Sequence, residues 1–372
     1  MRESAPAHDR LLALIDDFAG IRVAVFGDFL ADEFIYGQIA RVSREAPVLI
    51  LDYDSTEIVP GGAGNAAKNV SALGGTPSAI GVAGADETGQ RLLEELGRGV
   101  NLRGIVQPRG YRTPTKTRIL AGGVHSAKQQ VVRIDRAVRP ELTAADRRAI
   151  EARLVWAAAR CDALLVSDYG TGLVTPAVVR RASQRFAGPG RPAPVLVDSR
   201  YALLRFRGMT TCTPNESEVE QLFGITIGEN LRALEKAGRE LLSQTRSQAV
   251  LITRGSRGMA LFERDRATEH IPISGSDQIA DVTGAGDTVI ATMTLALAAG
   301  ATFSEAAHLA NYAGGVVVMK RGTATVSAEE LRAAVRSDRA GSDRKAAALA
   351  THSRRGTRAK AVSRRRPTRS RN

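Results

Sequence analysis

The segment Asp281-Val282-Thr283-Gly284-Ala285-Gly286-Asp287 sets two glycines and a carboxylate at the mouth of an apolar run, 288–299. That run has the length and composition of a buried helix, so the glycines fall at its N-terminus. Unpaired backbone N–H groups and the positive end of the helix dipole converge there. The chemistry this predicts is anion binding, with Gly284 and Gly286 letting a phosphate approach the backbone. Asp287 falls in the first turn, beside the bound group. A carboxylate next to a phosphate is unfavourable unless it takes a proton from an attacking hydroxyl. Read alone, the segment is a helix N-cap, with Asp281 or Thr283 capping.

Other residues could share that chemistry. Asp28 and Asp32 follow an apolar stretch, 22–27, that reads as a buried strand ending in a glycine turn. Ligands of open α/β sheets bind outside the carboxyl ends of strands, which suits both acids for a substrate. Gly61, Gly62 and Gly64 precede Asn65 and Asn69 at the start of a helix reaching about Leu73. The spacing is neither a P-loop nor a dinucleotide fingerprint, and the asparagines suit a polyol. Asn215 and Glu218 stand three apart at another helix start, as a capping box would place them. Beside a phosphate site, Glu218 becomes a candidate for ordering hydrated Mg²⁺. Thr253-Arg254-Gly255 ends an apolar strand where a nucleotide phosphate could rest. The five histidines are scattered without zinc spacing, and His308 reads as a packing or surface residue.

These residues need a scaffold. Helix 10–19 leads into strand 22–28, and residues 34–60 alternate as short antiparallel strands would. Strand 79–84 and helix 86–97, capped by Asp86, follow; short strands return within 104–136 and pair with 34–60 in a second, smaller sheet. Beyond Pro140 helix and strand alternate: helix 143–160, strand 163–168, a helix from Pro176, strands 194–198 and 209–213, a helix from Asn215, helix 230–243, strands 249–253 and 258–262. The motif helix, helix 304–319 and a capping box at Ser327-Ala328-Glu329-Glu330 close the pattern near Val335. Such alternation predicts an α/β fold with a mostly parallel sheet covered on both faces.

The 372 residues carry a formal charge of +13, of which residues 336–372 hold +11, so the remainder is nearly neutral. That basic segment lacks apolar periodicity and is expected to be disordered, available to an anionic partner such as nucleic acid. No apolar run reaches membrane-spanning length, and the N-terminus lacks a signal-peptide pattern. Cys161 and Cys212 are the only cysteines. They read as buried reduced thiols, implying a cytoplasmic protein.

Taken in order, G-G-A-G-N at 61–65, N-x-x-E at 215–218, T-R-G at 253–255 and D-V-T-G-A-G-D at 281–287 resemble the ribokinase-like (PfkB-type) sugar kinases. The resemblance implies a ribokinase-like three-layer fold with a small β-sheet lid, from about 34–60 and 104–136, within a domain spanning 1–335. It implies ATP and Mg²⁺, with Asp287 as general base and the backbone of Gly284, Ala285 and Gly286 as anion hole. It places Asn215 and Glu218 on Mg²⁺ and phosphate, Thr253 and Gly255 on the nucleotide, and Asn311 near the adenine. Asp28, Asp32, Gly61, Gly62 and Asn65 fall to the sugar, and the lid to a homodimer contact. Within the family, R-V-S-R-E-A-P-V at 41–48, T-K-T-R-I-L at 115–120, Q-Q-V-V-R-I-D at 129–135 and S-D-Y-G at 167–170 are similar to the branch acting on D-glycero-β-D-manno-heptose 7-phosphate. Lid cations Arg41, Lys116, Arg118 and Arg133 then become candidates for the 7-phosphate. Thr171 stands where the family often has Lys, and Asp198-Ser199-Arg200 where it often has D-P-K. Another sugar or nucleoside as acceptor, or a catalytically silent sugar-binding protein, are the alternatives.

Overall fold

The structure is a computed structural model that describes residues 6–122, 128–136, 141–186, 193–275, 281–320 and 322–339. The chain opens with α1 (His8–Asp16), β1 (Arg22–Val42), β2 (Leu49–Gly62), α2 (Ala63–Ala72), β3 (Thr76–Val82), α3 (Glu87–Gly97) and β4 (Asn101–Val106). Next come β5 (Thr115–Gly122), β6 (Gln129–Arg136), α4 (Ala144–Ala158), β7 (Ala163–Asp168), α5 (Pro176–Phe186), β8 (Val195–Ser199) and β9 (Thr211–Cys212). The last elements are α6 (Glu216–Phe223), α7 (Leu231–Thr245), β10 (Ala249–Thr253), β11 (Met259–Glu263), β12 (Glu269–Ile271), α8 (Ala285–Ala298), α9 (Phe303–Val317) and a helix over 328–339, α10.

The central sheet runs β12-β11-β10-β9-β8-β7-β1-β3-β4. Every pairing from β4 to β10 is parallel, and β11 and β12 add an antiparallel edge. Alternate residues of each strand enter opposite cores. Val23, Val25, Leu165 and Leu251 pack with α1, α2, α8 and α9. Ala24, Phe26, Val166 and Ile252 pack with α4, α5 and α7. A strand buried on both faces reads as a continuous apolar run, which is why the sequence shows these strands so plainly. Each large aliphatic group so buried contributes about 1.5–3 kcal/mol.

β1 is not a short strand ending in a turn. It continues unbroken for 21 residues. Its first third pairs with β3 and β7, and the rest leaves that sheet to pair with β2 and β5. Gly27 serves a close approach instead: a Cβ there would lie 2.1 Å from the Ser167 carbonyl oxygen on β7. The second sheet, ordered β2-β1-β5-β6, is the lid expected from residues 34–60 and 104–136. Two details differ. Residues 34–60 form two long strands instead of several short ones, and 104–106 belong to β4 of the central sheet.

α10 is capped as its sequence predicts, with Ser327 and Glu330 exchanging hydrogen bonds of 3.2 and 2.8 Å. It extends four residues past Val335, because Asp338 accepts from the Tyr312 hydroxyl at 2.9 Å and lies 3.2 Å from His8. The folded part therefore reaches into the segment expected to be disordered; residues 340–372 lie outside the described residues. Cys161 and Cys212 are free thiols. Among the described residues no helix is long and apolar enough to cross a membrane.

Candidate active site

A cleft of about 650 Å³ opens at the carboxyl ends of the parallel strands, between the central sheet and the lid. Its floor is the start of α8. The helix N-cap is Gly284, at φ 79°, and no side chain caps the first turn. Asp281 does not cap; its carboxylate accepts from the backbone N–H groups of Thr283 at 2.9 Å and Gly322 at 3.0 Å, folding the loop before the helix. A side-chain cap would consume the first-turn N–H groups, whereas a glycine cap leaves them to a ligand.

Asp287 is 3% exposed and lines this cleft. It accepts from Asn65 Nδ2 at 2.8 Å and from the Tyr169 hydroxyl at 3.2 Å. Burial pushes its pKa up to about 7, against the opposing pull of those two donors and with Asp32 adding to the rise. A carboxylate poised there gives up or takes a proton readily near neutral pH.

Asn65, expected at the sugar, is not among the residues lining the cleft; its polar groups are engaged within the protein. It is 1% exposed, and its amide holds Asp287 while its Oδ1 accepts from Asn69 at 3.2 Å. Asn69 in turn accepts from Thr288 on α8 at 3.0 Å, so this pair fastens α2 to the motif helix. Asp28 is likewise redirected. It accepts from the Tyr169 N–H at 2.8 Å and the Thr171 hydroxyl at 2.6 Å, and these contacts bind a loop instead of a substrate. Gly61 makes room: a Cβ would sit 2.3 Å from an Asp32 carboxylate oxygen. Gly62, at φ 58°, lines the cleft and turns the chain into α2.

Asp32, Lys116, Arg118 and Arg133 all line the cleft from the lid. Arg118 is committed to Asp32 at 2.6 Å, and Arg133 to Asp135 at 2.7 and 2.8 Å. Lys116 has no salt bridge among the described residues; its Nζ lies 4.5 Å over the Tyr169 ring. Arg41 is exposed at the far end of β1 and does not line the cleft.

At the opposite end, Asn215 and Glu218 form the predicted capping box, each 2.9 Å bond closing it. Asn215 Oδ1 is thereby occupied by the Glu218 N–H. The carboxylate that accompanies Glu218 in the cleft is Asp198, at the end of β8. Burial and mutual repulsion raise the pKa of Asp198, and burial raises that of Glu218. The Thr213 hydroxyl, 4% exposed, lines the cleft with no partner among the described residues. Two acids awaiting positive charge and an orphaned hydroxyl suit a hydrated Mg²⁺ shared with nucleotide phosphates. Among the described residues no group of three or more His, Cys, Asp or Glu side chains is arranged to hold a metal ion.

Thr253 and Gly255 line both this cleft and an adjoining one of about 470 Å³. Arg254 between them points away, buried against Glu216 at 2.6 Å. Asn311 lines the apolar end with Met259, Ile273, Val289 and Val318 and donates to the Pro272 carbonyl at 2.9 Å. Its amide braces the cleft wall at this apolar end. The pairing His308–Glu269, at 2.9 Å, holds the same wall from outside.

Tyr169, Asp198 and Arg200 line the cleft at positions that residue chemistry alone did not mark. Each lies at or just after a strand's carboxyl end, the one signal available in the sequence.

Comparison with known proteins agrees with this geometry. The pattern of the pfkB family of carbohydrate kinases matches residues 22–331. The chain is 41% identical over 313 residues to the bifunctional protein HldE of Geobacter metallireducens, covering 84% of this chain and 62% of that one. It is also 41% identical over 330 residues to the bifunctional protein HldE of Caulobacter vibrioides, covering 87% of this chain and 65% of that one. The chain thus spans less than two thirds of the length of these relatives. Arabidopsis thaliana ribokinase complexed with ribose and ATP superposes with a TM-score of 0.64 at 19% identity, over 85% of this chain and 99% of that one. Escherichia coli phosphofructokinase-2 in complex with potassium does so at 0.66 and 18%, over 85% and 98%. These structures share the ribokinase-like fold. Fold, site and sequence pattern converge, and the chain belongs to the pfkB family of carbohydrate kinases.

Proposed function

We propose that the protein catalyses ATP-dependent phosphorylation of a hydroxyl on a sugar phosphate, taking D-glycero-β-D-manno-heptose 7-phosphate to the 1,7-bisphosphate. The observation that carries the reading is Asp287, a buried carboxylate with its pKa pushed up to about 7 in the first turn of a helix whose N-terminus is capped only by glycine. Asp287 accepts the acceptor hydroxyl's proton as that oxygen attacks. The N–H groups of Gly286 and Asp287 offer fixed dipoles to the transferred group, a contribution that needs no reorganisation during reaction. When bound, Mg-ATP supplies the phosphoryl group and a divalent charge on its phosphates. Asp198, Glu218 and Thr213 would hold the metal end, and the apolar end of the cleft braced by Asn311 would hold the base.

The acceptor's own phosphate is matched by Lys116 and Arg200, the two cleft cations without a protein salt bridge among the described residues. Relatives named HldE support a heptose phosphate as acceptor. The test is ADP release with Mg-ATP on heptose 7-phosphate, the unphosphorylated heptose, other sugar phosphates and a nucleoside. Turnover is expected on heptose 7-phosphate, with kcat/KM for the unphosphorylated sugar lower by about 10²-fold, since charge-assisted contacts to the phosphate are lost. Preference for a nucleoside or neutral sugar overturns the acceptor assignment. A cytoplasmic setting belongs to this reading.

The lid also bears a dimer contact in this reading. Its outward residues Tyr53, Val132 and Ile134 are 68%, 46% and 48% exposed, and β2 and β6 leave open strand edges. The protein is expected to sediment as a dimer and a Tyr53→Asp/Val132→Asp variant as a monomer. A monomeric wild type overturns this contact.

A further inference from the structure

Tyr169 touches residues of three elements, α8, β5 and β1. Its hydroxyl donates to Asp287 Oδ1 at 3.2 Å. Its ring carries Lys116 of β5, with Nζ 4.5 Å from the centroid. Its backbone N–H donates to Asp28, at the end of the part of β1 that belongs to the central sheet, at 2.8 Å. The next residues complete the anchor. Gly170, at φ 79°, leaves no room for a Cβ, which would meet the Tyr201 ring at 2.8 Å. Thr171 gives Asp28 both its hydroxyl, at 2.6 Å, and its N–H, at 3.3 Å. Asp28 is 2% exposed and is not among the residues lining the active-site cleft; holding this loop is its use in the fold.

A carboxylate that must accept a proton along one direction needs its remaining lone pairs fixed. Asn65 fixes Asp287 from α2, and Tyr169 fixes it from the loop after β7. The Asn65 contact is internal to the packed core. The Tyr169 contact depends on a loop whose aromatic face is covered by the lid.

We propose that Tyr169 is a positioning residue for Asp287, anchored by Asp28 below and covered by Lys116 above, so that seating of the lid is transmitted to the catalytic carboxylate. The inference rests on the phosphoryl-transfer reading above. Thr171 supplies the second half of the anchor. The charged groups that act on Asp287 are Asp32 on β1, Lys116 on β5 and Asp198 on β8; the first and last disfavour its ionised form and Lys116 favours it. The hydroxyl of Tyr169 also favours the ionised form, so its removal has a defined sign.

Tyr169→Phe keeps the ring under Lys116 and deletes only the donor. Its kcat is expected to fall about 10-fold to 100-fold with KM for ATP unchanged, and the acid limb of kcat/KM to move up by about one pH unit. Lys116→Met should move the limb the same way. A merely structural tyrosine would lower kcat without moving the limb, so a Tyr169→Phe profile superimposable on wild type overturns the proposal. A second measurement needs no substrate. Folded Asp287 holds its proton up to about pH 7, so its contribution to the melting temperature falls as pH rises from about 4 to about 7. Asp287→Asn should abolish that slope, and Tyr169→Phe should extend it to higher pH; an unextended slope counts against Tyr169. If wild type phosphorylates no sugar phosphate, the kinase reading falls while the melting curves still decide the role of Tyr169.

Discussion

Asp287→Asn is expected to lower kcat about 10²- to 10⁴-fold while leaving ATP affinity within about twofold. The amide keeps the size of the carboxylate but cannot take the acceptor proton. ADP release under saturating substrates measures the first effect, and calorimetric titration with ATP the second. Near-normal turnover would remove Asp287 from the mechanism. The same variant should be more stable above neutral pH. A carboxyl whose folded pKa is raised to about 7 from 3.8 binds its proton more tightly folded than unfolded. Its stabilising contribution is complete below pH 4, is lost as pH rises to 7, and stays lost above. The variant escapes that loss, by at most about 4 kcal/mol. Loss of activity with gain of stability is the pattern of a functional buried charge, and a structural carboxylate would show the opposite.

Gly286→Val is expected to reduce kcat/KM about 10²- to 10³-fold with a melting temperature close to wild type. A Cβ at Gly286 meets no protein atom within 4 Å, and the residue lines the cleft. The added methyls therefore stand where the transferred phosphoryl group is held, and the helix itself tolerates valine at about 0.5 kcal/mol. Steady-state kinetics beside thermal unfolding separates the two effects. Unchanged kinetics would show that no phosphate approaches this turn. Gly284 is a different case, since its φ of 79° and the Asn65 amide 2.5 Å from a Cβ make it a requirement of the fold.

Local patterns determined much of this molecule. Doubly buried strands such as β7 and β10 appear as apolar runs, and the helix starts at Asp86, Thr143 and Asn215 carry their caps beside them in the chain. The motif at 281–287 placed Asp287 and the glycines at the start of α8 because a helix N-terminus is a short-range feature. Asp32, Lys116, Thr253 and Gly255 line the cleft as expected, the last two at the carboxyl end of β10 and the first two paired across β1 and β5 of the second sheet. The long β1 was not legible, because a strand crossing from one sheet to another changes partners without changing its own pattern. Nor could spacing show how the polar groups are divided between ligand and protein. Asn65 and Asp28 were assigned to the sugar from their types and positions, yet one holds Asp287 and the other holds the loop of Tyr169. Four lid cations looked alike until Asp32 and Asp135 claimed Arg118 and Arg133 and left Lys116 without a salt bridge. Sequence determines which chemistry a residue can offer. Which partner takes each hydrogen bond or charge is decided by through-space distances between segments far apart in the chain, such as Asn65 and Asp287 at 222 residues' separation, and only the tertiary structure sets those.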